Sequence, residues 1–231
     1  MVNDDSDDKT ATRTKPRSRG SDFRSLRILV IEPRGRYCKS VWCAIGIGLA
    51  HVFIGATVMT ALLFHLNVGD LHAVLCTVAY HFFTAEAILS LNYANGWSAP
   101  LHLRHRRYAH IFLQFCGIVC GITGTLLVCK SKGLSGTVHG VTGMATATLA
   151  VISLLTGPCG LLRGRYFKFV HTCFGIPTFL LSSISLCSGL STSDFEKWAN
   201  TTVIFILIGF IVFYTVFILV TCFIKCMMRI Y

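Results

Sequence analysis

Six apolar runs separated by short polar breaks make up most of this chain: about 41–64, 71–92, 110–129, 137–158, 169–190 and 201–224. At 1.5 Å per residue, roughly 20 apolar residues cross the ~30 Å hydrocarbon core of a bilayer as a helix. Backbone groups in lipid must be bonded within the segment or in a closed barrel. Runs of this length joined by breaks such as HLNVGD and KSKGLS predict helices. The expected fold is an all-α integral membrane protein, a six-transmembrane helix bundle over residues 41–225. Residues 1–40 are polar and charged, with no apolar core to open a cleavable signal peptide, and read as a disordered basic tail. Residues 226–231 form a short second tail.

Composition agrees with the pattern. Of 231 residues, 53% are hydrophobic and 13% charged, where soluble domains carry about 25% charge. The net charge of +11 does not point to nucleic acid, because the basic residues sit between apolar runs instead of on one face. Placing both termini in the cytoplasm leaves only Lys130, Lys132 and Lys197 outside, so that 18 of the 21 basic residues are inside, as the positive-inside rule requires. Most of the eleven cysteines lie in apolar runs, where a cysteine acts as a small hydrophobe.

Ionisable side chains within membrane spans are candidates for function. With this topology His72 begins the second run at the outer side, His110 the third at the inner side, His139 the fourth at the outer side and His171 the fifth at the inner side. Depth alone pairs His72 with His139 and His110 with His171, in layers roughly 20 Å apart if each lies one turn inside its edge. Two facing imidazoles can ligate one iron, and two such pairs would hold two haems in a relay across the membrane. Gly143 and Gly175 each lie four residues after a candidate ligand, on the same helical face, and leave room for a flat macrocycle. Gln114, one turn after His110, is a further candidate at a haem edge. His81 falls on nearly the opposite face from His72, and His51 has no partner at its depth; both read as structural.

Arg104, Arg106, Arg107 and Tyr108 precede His110, and Arg163, Arg165 and Lys168 precede His171. Cationic donors there suit haem propionates or an anionic reductant. Lys130 and Lys132 border the outer layer and suit a second anionic substrate. Glu86 lies deep in the second run, where a carboxyl must be protonated or paired. A haem-free bundle that moves protons or handles lipid is the other reading these polar residues allow.

Several stretches resemble the cytochrome b561 family: LHAVLCTVAYHFFTAEAIL around His72, HIFLQFCGIVCG from His110, HGVTGM from His139, TGPCGLL after the fourth run and FVHTCFG around His171. The resemblance covers about 41–225 and is closest to small animal members with little beyond the core domain. It implies two b-type haems on those four histidines, with cytoplasmic ascorbate as electron donor and monodehydroascorbate or ferric iron as acceptor on the other side. Many members are homodimers, in vesicle, lysosomal or plasma membranes. One stretch departs from the vesicle-type members. Where they carry an ALLVYRVF-like segment associated with ascorbate, this chain reads AILSLNYANGWSAP.

Overall fold

The computed structural model describes residues 34–162 and 164–230. Residues 1–33 of the expected tail lie outside the described residues. The chain divides into two units, Met1–Ser40 and Val41–Tyr231, and the architecture below is that of the second. The described chain is all-helical: α1 (Arg34–Val68), α2 (Leu71–Ser90), α3 (Leu103–Lys132), α4 (Val138–Leu162), α5 (Arg165–Leu190), a short α6 (Ser193–Ala199) and α7 (Thr201–Ile230). Among the described residues, six of these, all but α6, are long and apolar enough to cross a bilayer. The protein is a multi-pass membrane protein.

The helices overrun the apolar runs at one end. α1 starts at Arg34 instead of 41, and α3 at Leu103 instead of 110. In α3 the polar residues continue the helix beyond the apolar run, because no glycine or proline follows Pro100 until Gly117. This end, which carries the connections from α2 to α3 and from α4 to α5, is called the basic end below.

Two antiparallel hairpins dominate the packing: α2 with α3, and α4 with α5. In the first, Gly117, Gly121 and Gly124 line the face of α3 toward α2. A Cβ on them would lie 3.0 Å from the Ala79 carbonyl oxygen, 2.9 Å from the Tyr80 hydroxyl and 2.9 Å from Cys76 Sγ. Small residues in such a stripe let helices approach closely where lipid offers no hydrophobic drive. The large apolar core lies elsewhere. Ile47, Ile54 and Phe64 of α1 pack with Leu207, Ile211 and Ile218 of α7 and with Leu89, Phe179 and Phe195. Phe53 stacks on Phe210, ring centroids 4.3 Å apart. Thus α1 and α7 buttress one side of the hairpins, and between the hairpins the buried apolar set is small: Ala79, Tyr80 and Ala150.

The middle of α2, Val78–Thr84, is a π-helical segment, in which the Thr84 hydroxyl donates to the Ala79 carbonyl at 3.0 Å, five residues back. His81 lies inside it, 2% exposed. Its Nε2 lies 3.3 Å from the Ser182 carbonyl oxygen, which can only accept, so Nε2 carries the proton. Nδ1 then accepts from the Tyr214 hydroxyl at 2.8 Å. His81 thereby joins α2, α5 and α7.

The glycine stripe predicts a contrast. Gly121→Val drives a branched side chain into Tyr80 and should cost about 1–3 kcal/mol by overpacking. Gly209→Ala adds a Cβ where nothing lies within 4 Å and should be neutral or stabilising by up to about 1 kcal/mol from helix propensity. Thermal midpoints of the solubilised protein measure both.

Candidate functional site: two imidazole pairs between the hairpins

The structure brings together the four histidines from the α2–α5 run that share depths. His72 of α2 faces His139 of α4 with ring centroids 6.1 Å apart and planes at 85°. His110 of α3 faces His171 of α5 at 6.3 Å and 88°. Each pair crosses from one hairpin to the other. Two metal–imidazole bonds of about 2.0–2.1 Å, with roughly one ångström more from each nitrogen to its ring centre, put the centroids ~6 Å apart.

The other ring nitrogen of each histidine is spoken for inside its own hairpin. Nδ1 lies 2.8 Å from the Gly124 carbonyl for His72, 2.8 Å from Ala87 for His110, 2.9 Å from Ser185 for His139 and 2.9 Å from Ser153 for His171. A carbonyl only accepts, so every Nδ1 carries its proton and donates, and every Nε2 is left as a bare lone pair. A second hydrogen bond of this kind is what orients a metal-bound imidazole. No described residue bonds any of the four Nε2 atoms, and among the described residues no group of three or more His, Cys, Asp or Glu is gathered for a protein-only metal site. Two axial donors and no third are the donor set a haem iron takes.

The spacing behind this is regular. Each acceptor carbonyl lies fourteen residues after the histidine of its own helix: Gly124 after His110, Ser153 after His139, Ser185 after His171. Fourteen residues rise ~21 Å, so in an antiparallel hairpin each histidine meets the carbonyl that lies beside its partner's far layer. In α2 the interval from His72 to Ala87 is fifteen. One extra residue would turn Ala87 away by about 100° in a regular α-helix, and the π segment absorbs it. The α4–α5 hairpin repeats itself as well: His139, Gly143, Ser153 and Gly157 recur as His171, Gly175, Ser185 and Gly189, thirty-two residues later. A Cβ on Gly157 would lie 3.5 Å from the His171 ring, and one on Gly189 3.4 Å from the His139 ring. Sequence reasoning passed over Ser153, Ser185, Gly157 and Gly189, although this doubled pattern was there to be read.

Gly143 and Gly175 face the partner helix of their hairpin. Their added Cβ atoms would meet Ser185 Oγ at 3.4 Å and Ser153 Oγ at 3.7 Å. Gln114 is half-buried. Arg104 donates from Nε to the Tyr108 hydroxyl at 3.1 Å, and both are exposed at the basic end with Arg107. Arg106 is half-buried and Lys168 exposed at the start of α5. Arg163 and the Arg165 side chain lie outside what is described. Lys130 and Lys132 are exposed at the opposite end. Between the hairpins a cavity of about 220 Å³ opens among Ile122, Thr125 and Leu126 of α3 and Ala147, Thr148 and Val151 of α4.

His51, which has no second histidine at its depth, is a hydrogen-bonded residue: its Nδ1 lies 2.7 Å from Glu86 Oε1 and its Nε2 3.0 Å from Asn95 Oδ1. The connection after α2 folds back between the helices and brings Asn95 to it, a return that residue spacing does not reveal.

The pattern that defines eukaryotic cytochrome b561 matches residues 71–197. The chain belongs to the eukaryotic cytochrome b561 family. Two relatives are named transmembrane reductase CYB561D2. The one from Mus musculus is 26% identical over 190 residues, covering 76% of this chain and 83% of that protein. The one from Homo sapiens is 26% identical over 176 residues, covering 70% and 79%. No solved structure matches the chain. Membership in this family implies b-type haem, and the activity is oxidoreduction by electron transfer across a membrane.

The π segment yields a test. Deleting Phe82 removes the extra residue and lets α2 run as a regular α-helix with both histidine bonds aligned. Inserting an alanine after Phe82 rotates Ala87 by a further ~100°. The deletion should keep at least half of the wild-type yield of monodisperse protein, and the insertion should lose nearly all of it.

Proposed function

We propose that His72 with His139 holds one b-type haem and His110 with His171 a second, and that the chain passes electrons from cytoplasmic ascorbate to monodehydroascorbate or ferric iron on the far side. The observation that carries this reading is the pair of cross-hairpin imidazole contacts with every Nδ1–H engaged and every Nε2 turned free. When bound, the haems supply the one-electron chemistry. The protein's own residues hold and orient. The four carbonyls fix the tautomer and swing of each ring. Gly157 and Gly189 leave the rings space against the opposite helix.

Arg104, Arg106, Arg107 and Lys168 surround the basic end and offer charge-assisted bonds to propionates or to an anionic donor. Tyr108 holds the Arg104 guanidinium through its hydroxyl. The basic residues gathered at this end support a cytoplasmic placement of both termini. On the far side Lys130 and Lys132 are exposed and free to meet an anionic acceptor.

Two measurements test the reading. The purified protein should show two haems per chain by pyridine haemochrome assay, and His139→Ala should show one that ascorbate still reduces. Loss of both haems or of neither would refute the pairing, and a colourless preparation would refute haem binding altogether. For the acceptor, sealed vesicles carrying the protein should oxidise external ascorbate at least tenfold faster when loaded with ferric chelate or monodehydroascorbate than when loaded with buffer; equal rates would remove both acceptors.

A further inference from the structure

A second polar site lies beside the basic-end imidazole pair. A cavity of about 490 Å³ is lined by His51 of α1, Phe82 and Glu86 of α2, Leu113 of α3, and Asn95, Gly96 and Trp97 of the connection between α2 and α3. That volume lies in the range of ~300–1,000 Å³ typical of small-molecule sites. Its deep end is polar. Glu86 takes His51 Nδ1 on one oxygen at 2.7 Å and the Trp97 indole N–H on the other at 3.0 Å. Its rim is apolar: Phe82 is 44% exposed within a membrane span, and Trp97 46% in the connection that follows it. Aromatic side chains beside a span are the kind enriched at the membrane interface, and such a rim suits an occupant that arrives through lipid.

The position is next to the redox path of the preceding section. Glu86 adjoins Ala87, whose carbonyl holds His110 Nδ1. Leu113 lies three residues after His110, on the same helical face, with Cβ atoms about 5–6 Å apart.

Chemistry narrows the occupant. No lysine or arginine lines the cavity and a carboxylate does, so an anion is disfavoured. The carboxylate already has a hydrogen-bonded partner in His51, which removes the demand for a cation. A neutral flat ring would lie against Phe82, Trp97 and Leu113 and present hydroxyls to Glu86 and His51. The deep end is also built to change protonation. Asn95 is fully buried, and its amide nitrogen has no partner among the described residues. With its oxygen toward His51 Nε2, the amide accepts from a protonated imidazole; turned over, it donates to a neutral one. His51 can therefore gain or lose a proton while only one amide turns.

We propose that this cavity binds a lipid-soluble hydroquinone, and that the Glu86–His51 pair takes its protons as its electrons pass to the haem that His110 and His171 would hold. A hydroquinone leaving as a quinone releases two electrons and two protons. With haem bound, the electrons would be taken singly by the group that His110 and His171 would hold, and His72 with His139 would hold the group that accepts the first before the second leaves. Each proton goes to the carboxylate–imidazole pair and from there to water at the basic end. The electron half rests on the haem reading above; the binding half does not.

The test uses the full-length holoprotein in nanodiscs, with Trp42→Phe and Trp198→Phe so that Trp97 alone reports. Decylbenzoquinone should quench its emission saturably. Glu86→Gln and Leu113→Phe, the second filling the cavity, should each raise the apparent Kd at least tenfold. Decylhydroquinone should reduce the haem α band at least tenfold more slowly in Glu86→Gln, while dithionite reduces both proteins fully and an unchanged α band certifies folding. Quenching that rises linearly, or one Kd for all three proteins, overturns the site. Saturable binding without reduction of an intact haem by the hydroquinone overturns the electron step. A preparation without haem that still binds saturably leaves the site standing and fails the haem reading instead.

Discussion

Four histidine Nδ1–H groups donate to main-chain carbonyls of the neighbouring helix at 2.8–2.9 Å, and the arrangement of the central bundle follows from this bond. In lipid an imidazole N–H has no water to turn to, and an unpaired one costs several kcal/mol. The carbonyls of a helix are already engaged, but each keeps a second lone pair. Reaching it requires the partner backbone to come close. That closeness is bought with glycine: Gly124 supplies both the acceptor and the missing side chain against Cys76, while Gly157 and Gly189 clear the rings of His171 and His139. The same bond settles the tautomer, and therefore which nitrogen each ring turns to the space between hairpins.

Register then becomes strict. A carbonyl serves only if it lies at the height of the opposing histidine and on the facing side. Three of the helices meet this with the acceptor fourteen residues after the histidine, and α2 meets it at fifteen through its π segment. The π turn also places His81 between Tyr214 and Ser182, tying the hairpin to α7 and α5. Each hairpin satisfies the Nδ1–H groups of its own two paired histidines, whereas His81 of α2 reaches across to α5 and α7. Between the hairpins the buried apolar set among the described residues is only Ala79, Tyr80 and Ala150. The apolar mass of the fold sits instead between α1, α7 and the outer faces of α2 and α5.

This division separates two kinds of buried polarity. Between the hairpins, donors are directed so that lone pairs converge in twos. At the α1–α2 contact, His51, Glu86, Asn95 and Trp97 satisfy one another around a carboxylate, with one amide free to turn. The first arrangement offers two bare lone pairs to a common point without changing its own protonation; in the second one amide can turn as an imidazole gains or loses a proton. The helix α2 carries residues of both, with Ala87 and Glu86 adjacent in its last turns.

Membrane spans, their number and the four histidines at alternating depth were fixed by residue order, because a bilayer of set thickness converts position along a helix directly into depth. The doubled His–Gly–Ser–Gly pattern was equally present in the chain, but its meaning depends on two helices lying antiparallel at one register. The start of α3 at Leu103 was missed because the polar residues that extend it look like loop once they leave the apolar run. The π segment, the partners of His81 and the contact of His51 with Glu86 were decided only in three dimensions. Each depends on a rotation about a helix axis or on a connection folding back, and hydrophobicity along the chain measures depth in the membrane, not direction around the axis.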